Sequence, residues 1–161
     1  MLAAVYLELI KEMDLGRNFR NREIVLDIET TGLSPKDDRI VEIACVELFD
    51  HIPTGRHFQR YVNPCRDVPP IVRHIHGLTE EFLTSYPPFT SIVDDLLAFI
   101  GQAPVVSHSD FDILFLNAEL ARIKHGPIAS PCIDTLAMAR QRFTPAGLRD
   151  LCYRFSIEAP G

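Results

Sequence analysis

Two stretches rich in β-branched residues, 23–29 (EIVLDIE) and 40–49 (IVEIACVELF), constrain this chain more than any other feature. Each is strand-like in composition, and the second is apolar for most of its length, the pattern of a strand buried on both faces. The first closes on Thr30-Thr31-Gly32, which reads as a turn. A third strand is expected over 58–62, after a turn at Pro53-Thr54-Gly55. Downstream the apolar period lengthens from two to three or four. It predicts a helix over 92–100 capped by Thr90 or Ser91, and a helix over 110–125 with Ile113, Leu116, Leu120 and Ile123 on one side. Between them lies a short buried strand, 104–108; a further short strand, 133–135, runs into helix 136–143, and a last helix covers 148–155. Pro69-Pro70 and Pro87-Pro88 mark connectors, with a short helix at 79–83 between them. At the front, residues 2–13 place Leu2, Val5, Tyr6, Leu9, Ile10 and Met13 on one helical face, and 17–22 reads as a basic linker. Three leading strands followed by alternating helices and short strands imply an α/β domain, a mixed sheet covered by helices.

Composition narrows the choice. A length of 161 residues with 47% hydrophobic positions supplies one core and leaves no room for two large ones. No apolar run approaches the roughly 20 residues needed to span a bilayer, so no membrane association is expected. A net charge of −6 excludes a generic polycation, so any nucleic-acid affinity must come from a local site or bound metal. Cys45, Cys65, Cys132 and Cys152 form no C-x-x-C pair, which removes zinc knuckles and redox motifs and points to a reducing, cytoplasmic setting. The N-terminus lacks the basic lead of a signal peptide.

The densest chemical signal is Asp27-Ile28-Glu29-Thr30-Thr31-Gly32. Residues i and i+2 of a strand share a face, so Asp27 and Glu29 present two carboxylates side by side. Such a pair repels itself unless a cation compensates, and hard divalent ions accept oxygen ligands of this kind. Two solvated acids at a strand end are the competing reading. Gly32 allows a tight turn with close approach of a ligand. Asp110 and Asp112 open the helix after the short buried strand; they serve either as an ordinary helix start or, for Asp112, as a third acid completing the metal set. His74 and His76, two residues apart, have no third ligand nearby in sequence.

Together the two segments resemble the first and second motifs of the DEDD-type 3′–5′ exonucleases, among them the epsilon proofreading subunits of bacterial DNA polymerase III. The second is Ser107-His108-Ser109-Asp110-Phe111-Asp112. Val62-Asn63-Pro64, Ile75-His76-Gly77-Leu78-Thr79, Ile133-Asp134-Thr135 and Leu148-Arg149-Asp150-Leu151 agree as well, so the likeness runs over 23–157. The resemblance implies an RNase H-like fold with a mixed five-stranded sheet. It implies catalytic acids Asp27, Glu29 and Asp112 holding two divalent ions, Mg²⁺ or Mn²⁺, one activating water and the other stabilising the leaving 3′ oxygen. By the same likeness Thr30, Thr31 and Leu33 border the terminal nucleotide, His76 contacts substrate, and Phe111 lies near the pocket. Single-stranded or frayed DNA 3′ ends are the implied substrate, with RNA as an alternative, and a DNA polymerase subunit the implied partner. Ser109 stands where the family usually has Asn, and Ile71 where a substrate-contacting Glu is common.

The family's third motif, His-x-x-x-x-Asp, supplies the general base and a fourth acid; no such spacing occurs after Asp112. The expectation is an exonuclease-like domain over 23–161, truncated before that motif and preceded by an amphipathic helix over 1–16. Leu2-Ala3-Ala4-Val5-Tyr6-Leu7-Glu8-Leu9 resembles the helix that follows the third motif in the family. It is read as an unrelated leading helix, as that helix moved to the front, or as an arm that exchanges to form a homodimer. Two functions stand side by side: a metal-dependent 3′–5′ exonuclease releasing nucleoside 5′-monophosphates, and a catalytically impaired binding or interaction module on the same fold.

Overall fold

The computed structural model describes residues 1–13 and 21–158; residues 14–20, with most of the expected linker at 17–22 and the end of the leading helix, and residues 159–161 lie outside the described part. β1 (Arg22–Thr30), β2 (Ile40–Phe49) and β3 (Ile52–Tyr61) form an antiparallel meander. β4 (Val105–Ser107) joins the far side of β1 in parallel, and β5 (Cys132–Asp134) joins β4. The result is the expected mixed five-stranded sheet, in the order β3-β2-β1-β4-β5.

Strand alternation divides β1 between two cores. Ile24, Leu26 and Ile28 point to one face, where α4 (Phe89–Ile100) and α5 (Phe111–Arg122) bury them with Phe89, Leu96, Phe115 and Leu116. Val25 belongs to the other face, covered by α1 (Leu2–Glu12) through Leu2 and Tyr6. Val5 and Leu9 of α1 pack with Ala139 of α6 (Thr135–Arg140) and Leu151 and Cys152 of α7 (Leu148–Arg154). The leading helix is thus part of the core of its own chain. Glu23, on the α1 face, is buried and satisfied: Tyr6 donates its hydroxyl to Oε1 at 2.5 Å, and His51 Nδ1 lies 2.7 Å from Oε2.

Several expectations are corrected. The β2–β3 turn is Asp50 and His51 rather than Pro53-Thr54-Gly55; both residues have positive φ, 49° and 63°, as a two-residue hairpin turn matching strand twist requires. β3 therefore begins at Ile52, and Gly55 lies within it. Helix α4 starts at Phe89 with Pro88 as its N-cap, ahead of Thr90 and Ser91, because the fixed φ of proline suits a helix entrance. Pro69-Pro70 is not a simple connector: Pro70 opens α2 (Pro70–His76) at a position where no amide donor is needed. That helix buries no residue and exposes Ile71 and Ile75, so it left no amphipathic stripe in the sequence. α3 (Glu80–Leu83) matches expectation, with the Thr79 hydroxyl accepting from the Phe82 amide. α5 ends at Arg122, and its inward side carries Phe115 rather than Ile113 among its fully buried residues. Among the described residues no helix is long and apolar enough to cross a membrane.

Candidate active site

Asp27 and Glu29 stand on the α1 face of β1, beyond the stretch that α1 covers. Asp27 opens to solvent and Glu29 is half-buried. Although its side chain keeps an edge in solvent, loss of water around the rest of it raises the Asp27 pKa, with the Met1 amino group opposing the rise and Glu42 adding to it. That opposition places the start of α1 on the side of the acids. Glu29 is pushed up to about 7, by burial first and then by the charges of Asp27 and Glu42. The ladder explains Glu42: it lies directly opposite Glu29, whereas Asp27 faces Ala44.

Asp112 arrives from α5. It is 6% exposed in the first turn of the helix, and its Oδ1 accepts the Ile28 amide at 3.2 Å, 84 residues away in sequence. Burial and then the charge of Asp27 push it up to about 7, with a smaller contribution from Glu29. The third acid therefore feels both acids of β1. The helix start is built by Ser109, at φ 101°, whose hydroxyl accepts the Phe111 amide at 3.2 Å; Asp110 makes no capping bond. Phe111 packs on Phe115 with ring centroids 4.7 Å apart.

The segment after β1 is a tightly tied loop. The Thr30 hydroxyl donates to the Gly32 carbonyl at 2.6 Å. Thr31 is buried; its hydroxyl donates to Asp38 Oδ1 and accepts from the Arg39 amide, each at 3.0 Å. The close neighbour that demands glycine at position 32 is this same carboxylate, since an added Cβ would come within 2.3 Å of Asp38 Oδ2. Both threonine hydroxyls are thus engaged within the loop, while Leu33 projects from it, 84% exposed. His76 closes α2 with Nδ1 accepting the Leu78 amide at 3.0 Å, which leaves its proton on Nε2. Burial lowers its pKa, against the Thr30 backbone and the Glu42 carboxylate, so its ring belongs to the same neighbourhood. His74 is exposed on α2.

The donor set fits a hard divalent cation in kind: three carboxylates, each raised in pKa, a penalty that a bound cation would relieve. As the side chains are placed, no group of three or more His, Cys, Asp or Glu among the described residues closes on a common point. Sequence reasoning missed Glu42, whose one signal is an acid inside an apolar run. It also missed Glu119, a buried acid on α5 that pairs with Arg39.

Comparison with known proteins agrees with this architecture. Residues 24–161 match the family described as Exonuclease. The DNA polymerase III subunit epsilon of Rickettsia felis is 45% identical over 148 residues, covering 87% of this chain and 65% of that protein. The corresponding subunit of Buchnera aphidicola subsp. Baizongia pistaciae is 38% identical over 149 residues, covering 85% and 61%. The chain therefore spans somewhat less than two thirds of the length of these relatives. A product-bound structure of exonuclease I superposes with TM-score 0.76 at 16% identity, over 88% of this chain and 40% of that one. This likeness shows the shared RNase H-like fold. By the match that covers both segments carrying the acids, the chain belongs to the exonuclease family.

Proposed function

We propose that this chain is a 3′–5′ exonuclease domain that hydrolyses phosphodiesters at DNA 3′ ends and releases nucleoside 5′-monophosphates. The observation that carries the reading is the hydrogen bond from the Ile28 amide to Asp112 Oδ1 at 3.2 Å, which brings the acid of α5 to the strand residue that lies between Asp27 and Glu29. These three residues would hold Mg²⁺ or Mn²⁺, which when bound supplies charge for an attacking water and a leaving oxygen. The protein's own part is to fix Asp112 against the Ile28 amide, with Leu33 exposed four residues beyond Glu29 and His76 held near Thr30 and Glu42. His76, protonated on Nε2, offers a donor rather than a base. The name of the epsilon relatives supports a DNA polymerase as partner. Helix α1, covering the face on which Asp27 lies, is read as standing in for the helix that follows the third motif in the family; an unrelated leading helix and exchange of α1 between two copies are the competing readings.

A second reading, a binding module without turnover, is favoured by the carboxylates not closing on one point. The deciding experiment follows a 5′-labelled single-stranded oligonucleotide with Mn²⁺, beside Asp27→Ala. Stepwise shortening from the 3′ end that vanishes in the variant supports the exonuclease. Mn²⁺ binding lost in the variant, with an intact oligonucleotide throughout, supports the module. Absence of both binding and shortening overturns the metal-site reading.

A further inference from the structure

Helix α5 carries two buried acids seven positions apart, two turns along one face: Asp112, 6% exposed, and Glu119, 1% exposed. Each docks the helix by accepting a backbone amide, from Ile28 at 3.2 Å and from Ile40 at 3.2 Å. Glu119 also takes the Arg39 guanidinium in a two-pronged grip, 2.7 and 2.9 Å. Arg39 is the last residue of the loop that carries Leu33. One turn beyond Glu119, Arg122 donates Nη2 to the carbonyls of Pro35, Lys36 and Asp38 at 2.7, 3.0 and 3.0 Å. Inside the loop, Asp38 accepts the Ser34 amide and the Thr31 hydroxyl, both at 3.0 Å. The helix that delivers Asp112 to the Ile28 amide therefore also holds the loop that carries the exposed Leu33.

We infer that Arg122 and the pair of Arg39 and Glu119 are positioning residues, a clamp by which α5 fixes Leu33 and the backbone of residues 30–32 relative to Asp112. A terminal nucleotide then meets a preformed wall and does not have to order the loop on binding. Loop ordering would otherwise be subtracted from affinity. This rests on the exonuclease reading of the same site.

The test uses the whole chain with Mn²⁺ alone and with thymidine 5′-monophosphate as the probe. Arg122→Ala is the informative variant, because it releases three carbonyls and gives up only its looser 3.4 Å pairing with Glu119, while the two-pronged Arg39–Glu119 grip keeps both partners. It is expected to weaken nucleotide binding about tenfold, the loss of a charge-assisted contact, with Mn²⁺ binding unchanged. Leu33→Ala is expected to weaken nucleotide binding similarly, and the double variant no further than either single one. Amide exchange at Ser34 and Asp38 accelerates in Arg122→Ala, while far-ultraviolet dichroism stays the same. Unchanged nucleotide affinity in Arg122→Ala, or strictly additive losses, overturns the clamp and leaves the metal site standing. A wild-type chain that binds Mn²⁺ and no nucleotide likewise overturns the clamp alone. A chain that binds neither overturns the site reading and the clamp with it.

Discussion

Glu29 of β1 stands directly opposite Glu42 of β2, two carboxylates facing each other across an antiparallel ladder. Like charges in that relation destabilise a sheet, so the pairing is a local electrostatic penalty beside the acidic site. Gln59 Nε2 donates to Glu42 Oε1 at 2.6 Å and holds the acid in place from β3.

Replacing Glu42 with Gln should lower the titration midpoint of Glu29 from its position near 7, since one of the charges that raise it is removed. Carboxyl carbon resonances followed through a pH titration report this directly. The pH at which Mn²⁺ half-saturates the site should move down with it. A Glu29 midpoint that stays in place would mean that burial and Asp27 account for the whole shift.

Asp112 makes the metal-free protein pH-sensitive. Its pKa in the folded chain is raised to about 7 from the ordinary aspartate value of 3.8, so the protonated form is favoured by folding. The associated stability is fully present below the unfolded value and is lost as pH rises through about 7. Urea unfolding in chelator should therefore give lower stability at pH 8 than at pH 5. Asp112→Asn keeps an oxygen for the Ile28 amide and carries no charge, so it should stabilise the chain by about 1–3 kcal/mol at pH 8 and by less at pH 5. A flat profile in both proteins would contradict this.

Glu119→Ala leaves the Arg39 guanidinium and the Ile40 amide without their shared acceptor. The expected destabilisation is about 3 kcal/mol, as for removal of one partner of a buried ion pair. Glu8→Ala, which removes the exposed pair with Lys11, should change stability by well under about 1 kcal/mol in the same denaturation experiment. Equal effects for the two would deny that burial sets the difference.

The leading helix is predicted to be structural. Leu9 is fully buried between α6 and α7, so Leu9→Ala should lower unfolding stability by about 2–5 kcal/mol. The exposed Leu114→Ala on α5 serves as the comparison and should have a small effect. A near-neutral Leu9→Ala would mean that α1 is dispensable to the fold.

The elements themselves were legible where a period was clean. β1 and β2 read directly because their β-branched residues alternate or fill both faces, and α4 because Ile92, Leu96 and Ile100 recur at helical spacing. α2 was illegible because it buries nothing, and the β2–β3 turn was misplaced because Gly55 outweighed the less usual choice of Asp50 and His51. The two acids of β1 were legible as a pair from their i, i+2 spacing. Thr31 was read as bordering substrate from the family likeness alone; that its hydroxyl bonds to Asp38 and to the Arg39 amide was not legible, because those partners lie seven and eight residues on.

The sequence by itself determined which faces of the strands are apolar, that Asp27 and Glu29 share a side, and that the chain resembles the exonuclease family. Those are consequences of local period and of motif order. Only the tertiary structure decided that Glu42 stands opposite Glu29, because register depends on how a hairpin closes. Only it brought Asp112 to the Ile28 amide and Glu119 to Arg39, and seated α1 over Val25 of β1. These contacts join residues far apart in the chain. They depend on the packing of α5 on one face of the sheet and α1 on the other, and no local spacing encodes where two distant surfaces meet.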